Sequence, residues 1–445
     1  MNLTVITWVL TFVAGTLLTF KRPVYGVCLY LFTFFVNPPF WWWGDLIATV
    51  RWNLYAAIIL GVALFLHRAR GEESGPKPAP WPAKFALLMA ANAIFVHYLL
   101  APDRDVSWAM LELLLKFVTL YFLMVHAIRT RDDLRLAVWG IIICASYIGY
   151  EVTINERGSF SGGRLEGVGA AGVQNSNELA SLLLAVVPFG GYLFLTGGWR
   201  DKTLAAVTTM FALNVLLLCN SRGAFLGLMA AGIIIIAIAP KGVRAKVGKG
   251  LALGSVALLL LLNDPKIVDR FMTTFVGAEE RDSSATTRFV IWTAAWEQIK
   301  DHPLGAGGES FSKVLGRRYL PGVGYDSDGR AVHNGYVNEI CNWGFQGFFL
   351  RLAFLIAAFR VVRRTGKACG LRGETDGALF AAVLMSAAAG TMITAFFGDY
   401  LDDEWLIWLA ALMVVHGKVY AVEVAQPQAV DAPRIHPRPI AVPSN

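Results

Sequence analysis

Residues 178–239 read ELASLLLAVVPFGGYLFLTG (178–197), GWRDK (198–202), TLAAVTTMFALNVLLLC (203–219), NSR (220–222) and GAFLGLMAAGIIIIAIA (223–239). Three apolar runs follow one another, each close to the ~20 residues an α-helix needs to cross a hydrocarbon core. Lipid offers no partner to a bare amide, so each run must close its backbone hydrogen bonds internally, as a helix. The same alternation extends outward through almost the whole chain. Candidate spans fall at 2–20, 24–40, 54–67, 81–100, 108–128, 134–153, 178–197, 203–219, 223–239, 249–263, 342–362, 377–397 and 403–420. The expectation is an all-α polytopic membrane bundle of about 12–13 helices, since 54–67 is short and Pro38-Pro39 can make the second span partial.

The 445 residues are 56% hydrophobic and 16% charged, well under the charge content of a soluble domain. The formal net charge of +7 does not point to nucleic acid. The basic residues stand in short clusters between spans: Lys21-Arg22, Arg68 with Arg70, Arg129 with Arg131, Arg200 with Lys202, Lys241 to Lys249, and Arg360 to Arg372. That is the pattern that keeps loops in the cytoplasm, and no basic stripe alternates with stacking aromatics. An outside N-terminus places nearly all these clusters inside; an even count places both termini inside, and the C-terminus is cytoplasmic either way. Residues 158–172, Ser221-Arg222, the long loop and Asp399–Glu404 then lie on the far side. The first apolar run lacks a basic leader and a small-residue cleavage site, and reads as a retained helix. The five cysteines show no CxxC spacing, so no disulfide framework or zinc site is indicated.

One membrane domain therefore covers residues 1–420, interrupted by a polar loop at about 264–341. Residues 421–445, with Pro427, Pro433, Pro437, Pro439 and Pro443, read as a disordered cytoplasmic tail. A loop of that length is usually functional or disordered, and this one carries order signals. Phe289, Trp292, Trp296 and Ile299 fall on one face of a helix over 286–301, stopped by Pro303 and Gly305–Gly308, and a helix along the membrane surface fits.

Ionisable groups at membrane depth are costly and invite a functional reading. Arg222, in the turn between two spans, reads equally as an anion-binding arginine or as one that holds loop carbonyls. Glu112 and Lys116 stand at i,i+4 in the favourable order and are expected to pair within their helix. His97, His126 and His302 read as structural groups near helix ends. His333 lies in Val332-His333-Asn334-Gly335-Tyr336, where Asn334 and Gly335 suit a turn or a cap and would place the imidazole at the membrane boundary. It reads as a general base at neutral pH or as a turn histidine with a local hydrogen bond. Arg164 and Arg288 add two far-side guanidinium groups able to grip phosphate oxygens in pairs. Asp399, Asp402, Asp403 and Glu404 could hold a cation, but read more simply as a solvated outside loop. Gly305–Gly308 lacks the Gly-Lys-Ser/Thr of an ATP-binding loop.

Several stretches, in order, resemble the O-antigen ligase and O-antigen polymerase superfamily of bacterial envelope glycosyltransferases. They are Gly163-Arg164 with Asn175-Ser-Asn-Glu-Leu-Ala; Ser221-Arg-Gly-Ala-Phe-Leu-Gly; Ser284-Ala-Thr-Thr-Arg288-Phe-Val-Ile-Trp292 with His302-Pro-Leu-Gly-Ala-Gly; and His333-Asn-Gly-Tyr with Gly344 and Gly347. The opening Lys21-Arg-Pro-Val-Tyr-Gly and Asn37-Pro-Pro are similar to the exosortase-associated branch. The resemblance implies a GT-C-like bundle in the bacterial inner membrane with its active site facing the periplasm. It implies an inverting, metal-independent transfer, with no cofactor, from an undecaprenyl-diphosphate-linked glycan to a lipid A–core acceptor. In that reading His333 deprotonates the acceptor hydroxyl, Arg222 and Arg288 bind the diphosphate and Arg164 assists. Asn334, Tyr336 and Asn177, inside the matching motifs, are expected to support the site. A polymerase, a protein O-oligosaccharyltransferase with the same donor and, more remotely, a polysaccharide transporter remain as alternatives. The partners expected are lipids and glycans, not nucleic acid.

Overall fold

A computed structural model describes residues 3–72, 76–161, 163–173, 175–261, 283–320 and 330–421. Loop residues 262–282 and 321–329 and the Pro-rich tail from 422, expected to be disordered, lie outside the described residues.

The chain is a multi-pass helical membrane protein. Its helices are α1 (Leu3–Thr19), α2 (Val24–Phe35), α3 (Trp52–Ala69), α4 (Pro80–Leu99), α5 (Arg104–Ala127), α6 (Arg131–Thr153), α7 (Ser176–Thr196), α8 (Trp199–Cys219), α9 (Arg222–Ile238), α10 (Lys241–Leu261), α11 (Ser283–Asp301), α12 (Gly335–Leu371), α13 (Thr375–Thr394) and α14 (Glu404–Ala421). Nine helices among the described residues are long and apolar enough to cross a bilayer, and three shorter apolar helices join them, in line with the expected bundle. The doubtful span at 54–67 is a full helix, α3. Pro38 and Pro39 end α2 and open a short 3-10 turn, as their missing amide donors require. Of the expected span at 249–263, residues 249–261 lie in α10, whose first half carries Lys241, Arg244, Lys246 and Lys249 and which is not among the twelve helices above; 262 and 263 lie outside the described residues.

The centre of the bundle is α14, buried continuously from Trp405 to Tyr420. Around it α7 and α13 bury most of their length. Helices α9 and α13 cross where small residues let backbones meet: a Cβ on Gly227 would lie 2.7 Å from the Gly390 carbonyl oxygen. Ser386 Oγ donates to the Ala231 carbonyl (2.8 Å) in the same contact. The Glu112–Lys116 pair forms within α5 as expected, at 2.7 Å.

Ion pairs gather the basic clusters at one end. Arg22 meets Asp133, Arg135 meets Asp201 (2.6 Å) and Arg131 meets Glu374 (3.6 Å). Lys418 Nζ donates to the carbonyls of Val125 (2.9 Å) and Ile128 (3.1 Å), closing α14 onto α5. The opposite end holds an antiparallel hairpin, β1 (Ser159–Ser161) with β2 (Arg164–Glu166), which periodicity did not announce. With it lie the starts of α7 and α9, the described part of the polar loop and the α13–α14 connector.

The loop has its own small core of Ile291, Ala294, Ala295, Ile299, Phe311, Val332, Ile340 and Cys341. Within it, the side of α11 that packs inward includes small residues. Ile299 is buried and Trp292 partly so, but Phe289 is 66% and Trp296 47% exposed, while Ile291, Ala294 and Ala295 turn inward. The alanines let α11 close on α12, where Cys341 Sγ lies 3.8 Å from the Ala295 carbonyl; bulky rings would hold the helices apart. The segment Pro303–Gly308 then latches onto a break in α12 at Gly344 (φ 75°, ψ 176°). Ala306 and Gly307 amides donate to the carbonyls of Cys341 (3.0 Å) and Asn342 (2.9 Å), and the Phe345 amide donates to Pro303 (3.1 Å). The groups freed by the kink are thereby satisfied. The Gly308 amide reaches Ser107 Oγ (3.0 Å), which also bonds His97 Nδ1 (3.1 Å), so the loop is anchored to α4 and α5 as well.

Candidate active site at the polar end of the bundle

His333 occupies a left-handed backbone position (φ 55°), uncommon for a side chain with a Cβ and persisting only where neighbours impose it. Seven hydrogen bonds, in four groups, do so. Trp292 Nε1 donates to the Val332 carbonyl (3.0 Å). The amides of His333 (3.4 Å) and Asn334 (3.0 Å) donate to the two oxygens of Asp399. Asn334 Oδ1 accepts from the amides of Tyr336 (3.1 Å) and Val337 (3.3 Å), making the helix cap its sequence suggested. The Gly335 amide meets the carbonyls of Ala395 and Gly398, both at 2.8 Å. Tyr336 continues the attachment, its hydroxyl donating to the Met392 carbonyl (2.7 Å).

Gly335 is required by space. A Cβ there would sit 2.8 Å from the Leu401 amide nitrogen and 2.9 Å from Leu401 Cβ. Gly335→Ala must push the connector away, so we expect a loss of about 1–3 kcal/mol, read as a lower melting temperature in detergent. An unchanged melting temperature would contradict the packing described here.

The His333 side chain stands at the exposed rim. Its pKa is lowered from the ordinary histidine value, first by the protein packed about the ring and then by the charges of Arg288 and Arg330. Arg288, half-buried in the first turns of α11, acts electrostatically on both His333 and Tyr400. The loop and the connector therefore meet at the His333 turn, the connector on its backbone and Arg288 acting on its ring.

The turn that carries Arg222 reaches the same connector from the bundle. Asn220 in the left-handed conformation (φ 47°) turns the chain after α8, and Ser221 Oγ caps α9 through the Ala224 amide (3.4 Å). Arg222 is thus the exposed first residue of α9, where the free amides of a helix start favour an anion. The next residue, Gly223, lies against Phe397: a Cβ would come within 2.9 Å of Phe397 Cβ. Residues 395–399 accordingly bind the His333 turn on one side and the Arg222 turn on the other.

Arg164 and Asn177 belong to the neighbouring part of this end. Arg164 opens β2, and Glu166 Oε1 accepts from Ser176 Oγ (3.0 Å), tying the hairpin to the start of α7. The charges of Arg164 and Glu166 are felt at Cys219, just before the Arg222 turn. The cap of α7 is Asn175, whose Oδ1 accepts from the amides of Asn177 (3.0 Å) and Glu178 (3.1 Å). Asn177 is brought to the site end but not to His333.

The acidic connector is not the solvated loop expected. Asp399, Asp402 and Asp403 are half-buried or less exposed, drawn in because their neighbours pack on α12 and α14. Burial pushes Asp399 up to about 7 against the opposing pull of the two amides, with Glu309 and Glu178 adding to the rise. Asp402 is likewise pushed up to about 7, chiefly by burial. The sequence showed Asp399 only as part of an acidic cluster; its role as acceptor for the His333 and Asn334 amides has no local sequence signal. Among the described residues, no group of three or more His, Cys, Asp or Glu is placed to hold a metal ion.

Residues 207–352 match a protein-family model described as O-antigen ligase, which implies a glycan-transferring membrane enzyme acting on lipid-linked substrates. The matched stretch contains Arg222, Arg288 and His333 and leaves Arg164, Asn177 and Asp399 outside it. No curated protein matches the chain significantly.

Proposed function

We propose that the protein is an O-antigen ligase that moves a glycan from undecaprenyl diphosphate to a lipid A–core acceptor at the periplasmic face of the bacterial inner membrane. The observation that carries this reading is the convergence of the His333 turn and the Arg222 turn on residues 395–399, with the Arg288 charge acting on His333. The family match over 207–352 spans all three residues.

The chemistry follows from charge. The acceptor hydroxyl oxygen attacks the anomeric carbon while the bond from that carbon to the diphosphate oxygen breaks, inverting the centre. Neutral His333 takes the hydroxyl proton as the new bond forms. Negative charge grows on the departing lipid diphosphate, where the guanidinium groups of Arg222 and Arg288 and the α9 start stabilise it, with Arg164 assisting. Fixed cations at the leaving group perform this neutralisation without a nucleotide or metal partner, and a membrane-boundary site suits a carrier that stays in the lipid. Tyr336 and Asn334 hold the His333 turn, and Asn177 lies at the neighbouring α7 start.

In-vitro transfer with purified protein, lipid-linked glycan and delipidated core acceptor tests the reading. Glycan joined to the core, at a rate unaffected by chelator, is the expected result. Product that stays on the carrier but lengthens would replace the ligase with a polymerase, and glycan found only on a protein acceptor would make it a protein O-oligosaccharyltransferase.

A further inference from the structure

Arg351 lies in α12 beyond the Gly344 break and is only 2% exposed. A buried guanidinium in a membrane helix is costly enough to need a reason. Its Nε stands 2.7 Å from Oε1 of Glu339, itself 3% exposed, and its Nη1 donates to the Leu401 carbonyl (3.4 Å). The Nε contact is a close ion pair and not a well-aligned hydrogen bond, since that atom has no directed partner.

The separation is informative. Glu339 and Arg351 are twelve positions apart, roughly 18 Å along a straight helix at 1.5 Å per residue, too far for their side chains to meet. The pair exists because α12 bends at Gly344, so it holds that bend. Glu339 rides on the short helical arm that begins just after His333, while Leu401 lies two residues beyond Asp399. One guanidinium therefore ties both halves of the His333–Asp399 contact to the membrane part of α12. Its charge also acts on Asp402 and Asp403 in the same connector.

We propose that Arg351 is a positioning residue that sets the left-handed His333 turn through the Glu339 arm and the Leu401 carbonyl. The effect on rate rests on the transfer reading above; the effect on the turn does not. In full-length protein, Arg351→Met is expected to lower turnover about 10²-fold, the cost of a small misplacement of a reacting group, with the KM for donor within about twofold. Arg351→Lys, which keeps the charge, should recover part of it. Combined with Asp399→Asn, the loss should be no larger than that of Asp399→Asn alone. Hydrogen exchange gives an independent readout: amides of His333, Asn334 and Gly335 should lose protection in Arg351→Met while those of residues 410–415 in α14 keep theirs. If α14 also opens, Glu339→Gln/Arg351→Met, which leaves no unpaired buried charge, should restore α14 and leave the turn open. Unchanged exchange at 333–335, recovery of both regions in the double variant, or losses that multiply with Asp399→Asn would overturn the proposal. Wild-type protein without transfer activity would sink the ligase reading instead, and the exchange comparison would still decide on Arg351.

Discussion

Alanine at position 333 is expected to leave the protein folded and inserted but to lower transfer by about 10²–10⁴-fold, the usual range for losing a positioned general base. The backbone argument makes this a clean test. The turn is held through the amides of His333 and Asn334 on Asp399 and through Gly335, all of which alanine retains. The pH dependence supplies a second check. The packed surroundings and the charges of Arg288 and Arg330 disfavour the imidazolium, so the folded-state pKa lies below the ordinary 6.5. The neutral, proton-accepting form is then present above that lowered value and is lost as pH falls through it. Wild-type turnover should show a His333 limb below 6.5, while Asp399, pushed up to about 7, adds a separate fall near that pH that the alanine variant keeps. Turnover in the alanine variant equal to wild type would remove His333 from the chemistry.

The second large effect belongs to the arginines. Arg222→Ala and Arg288→Ala should each cost about 10²–10³-fold in turnover, as expected for removing one fixed donor from a developing anion. Lysine should restore only part of this, because it keeps the charge and loses the planar pair of donors. The two positions differ in one respect. Arg288 is a cause of the lowered His333 pKa, so its loss should move the His333 limb to higher pH; Arg222 is not among those causes, and its loss should leave the limb in place. A limb that moves equally in both variants would contradict the arrangement.

What the sequence could and could not reveal follows from the physics of each feature. The spans were legible because lipid demands long apolar runs, and the segregation of ends because arginine and lysine clusters avoid crossing. Asn334 as a cap and Glu112–Lys116 as a pair were legible because both are local. The apolar stripe of α11 was legible as the face of a surface helix, but the inward packing of the small Ala294 and Ala295 was not, because it is set by close approach to α12. The burial of Asp399 and the bend held by Arg351 were hidden for a related reason. Each depends on residues tens of positions apart, as with Arg351 and the Leu401 carbonyl (3.4 Å), and no periodicity records such contacts.

The attachment of Gly335 to the carbonyls of Ala395 and Gly398 bears on how the molecule comes to be active during synthesis. A nascent chain halted before residue 395 already carries Arg164, Arg222, Arg288 and His333, yet its His333 turn has no acceptors for three consecutive amides. Completion of the reactive geometry is deferred until the final helical hairpin has been inserted. A premature stop in α13 is therefore more than a shortened bundle: it is a chain with every proposed reacting side chain and no fixed place for its base.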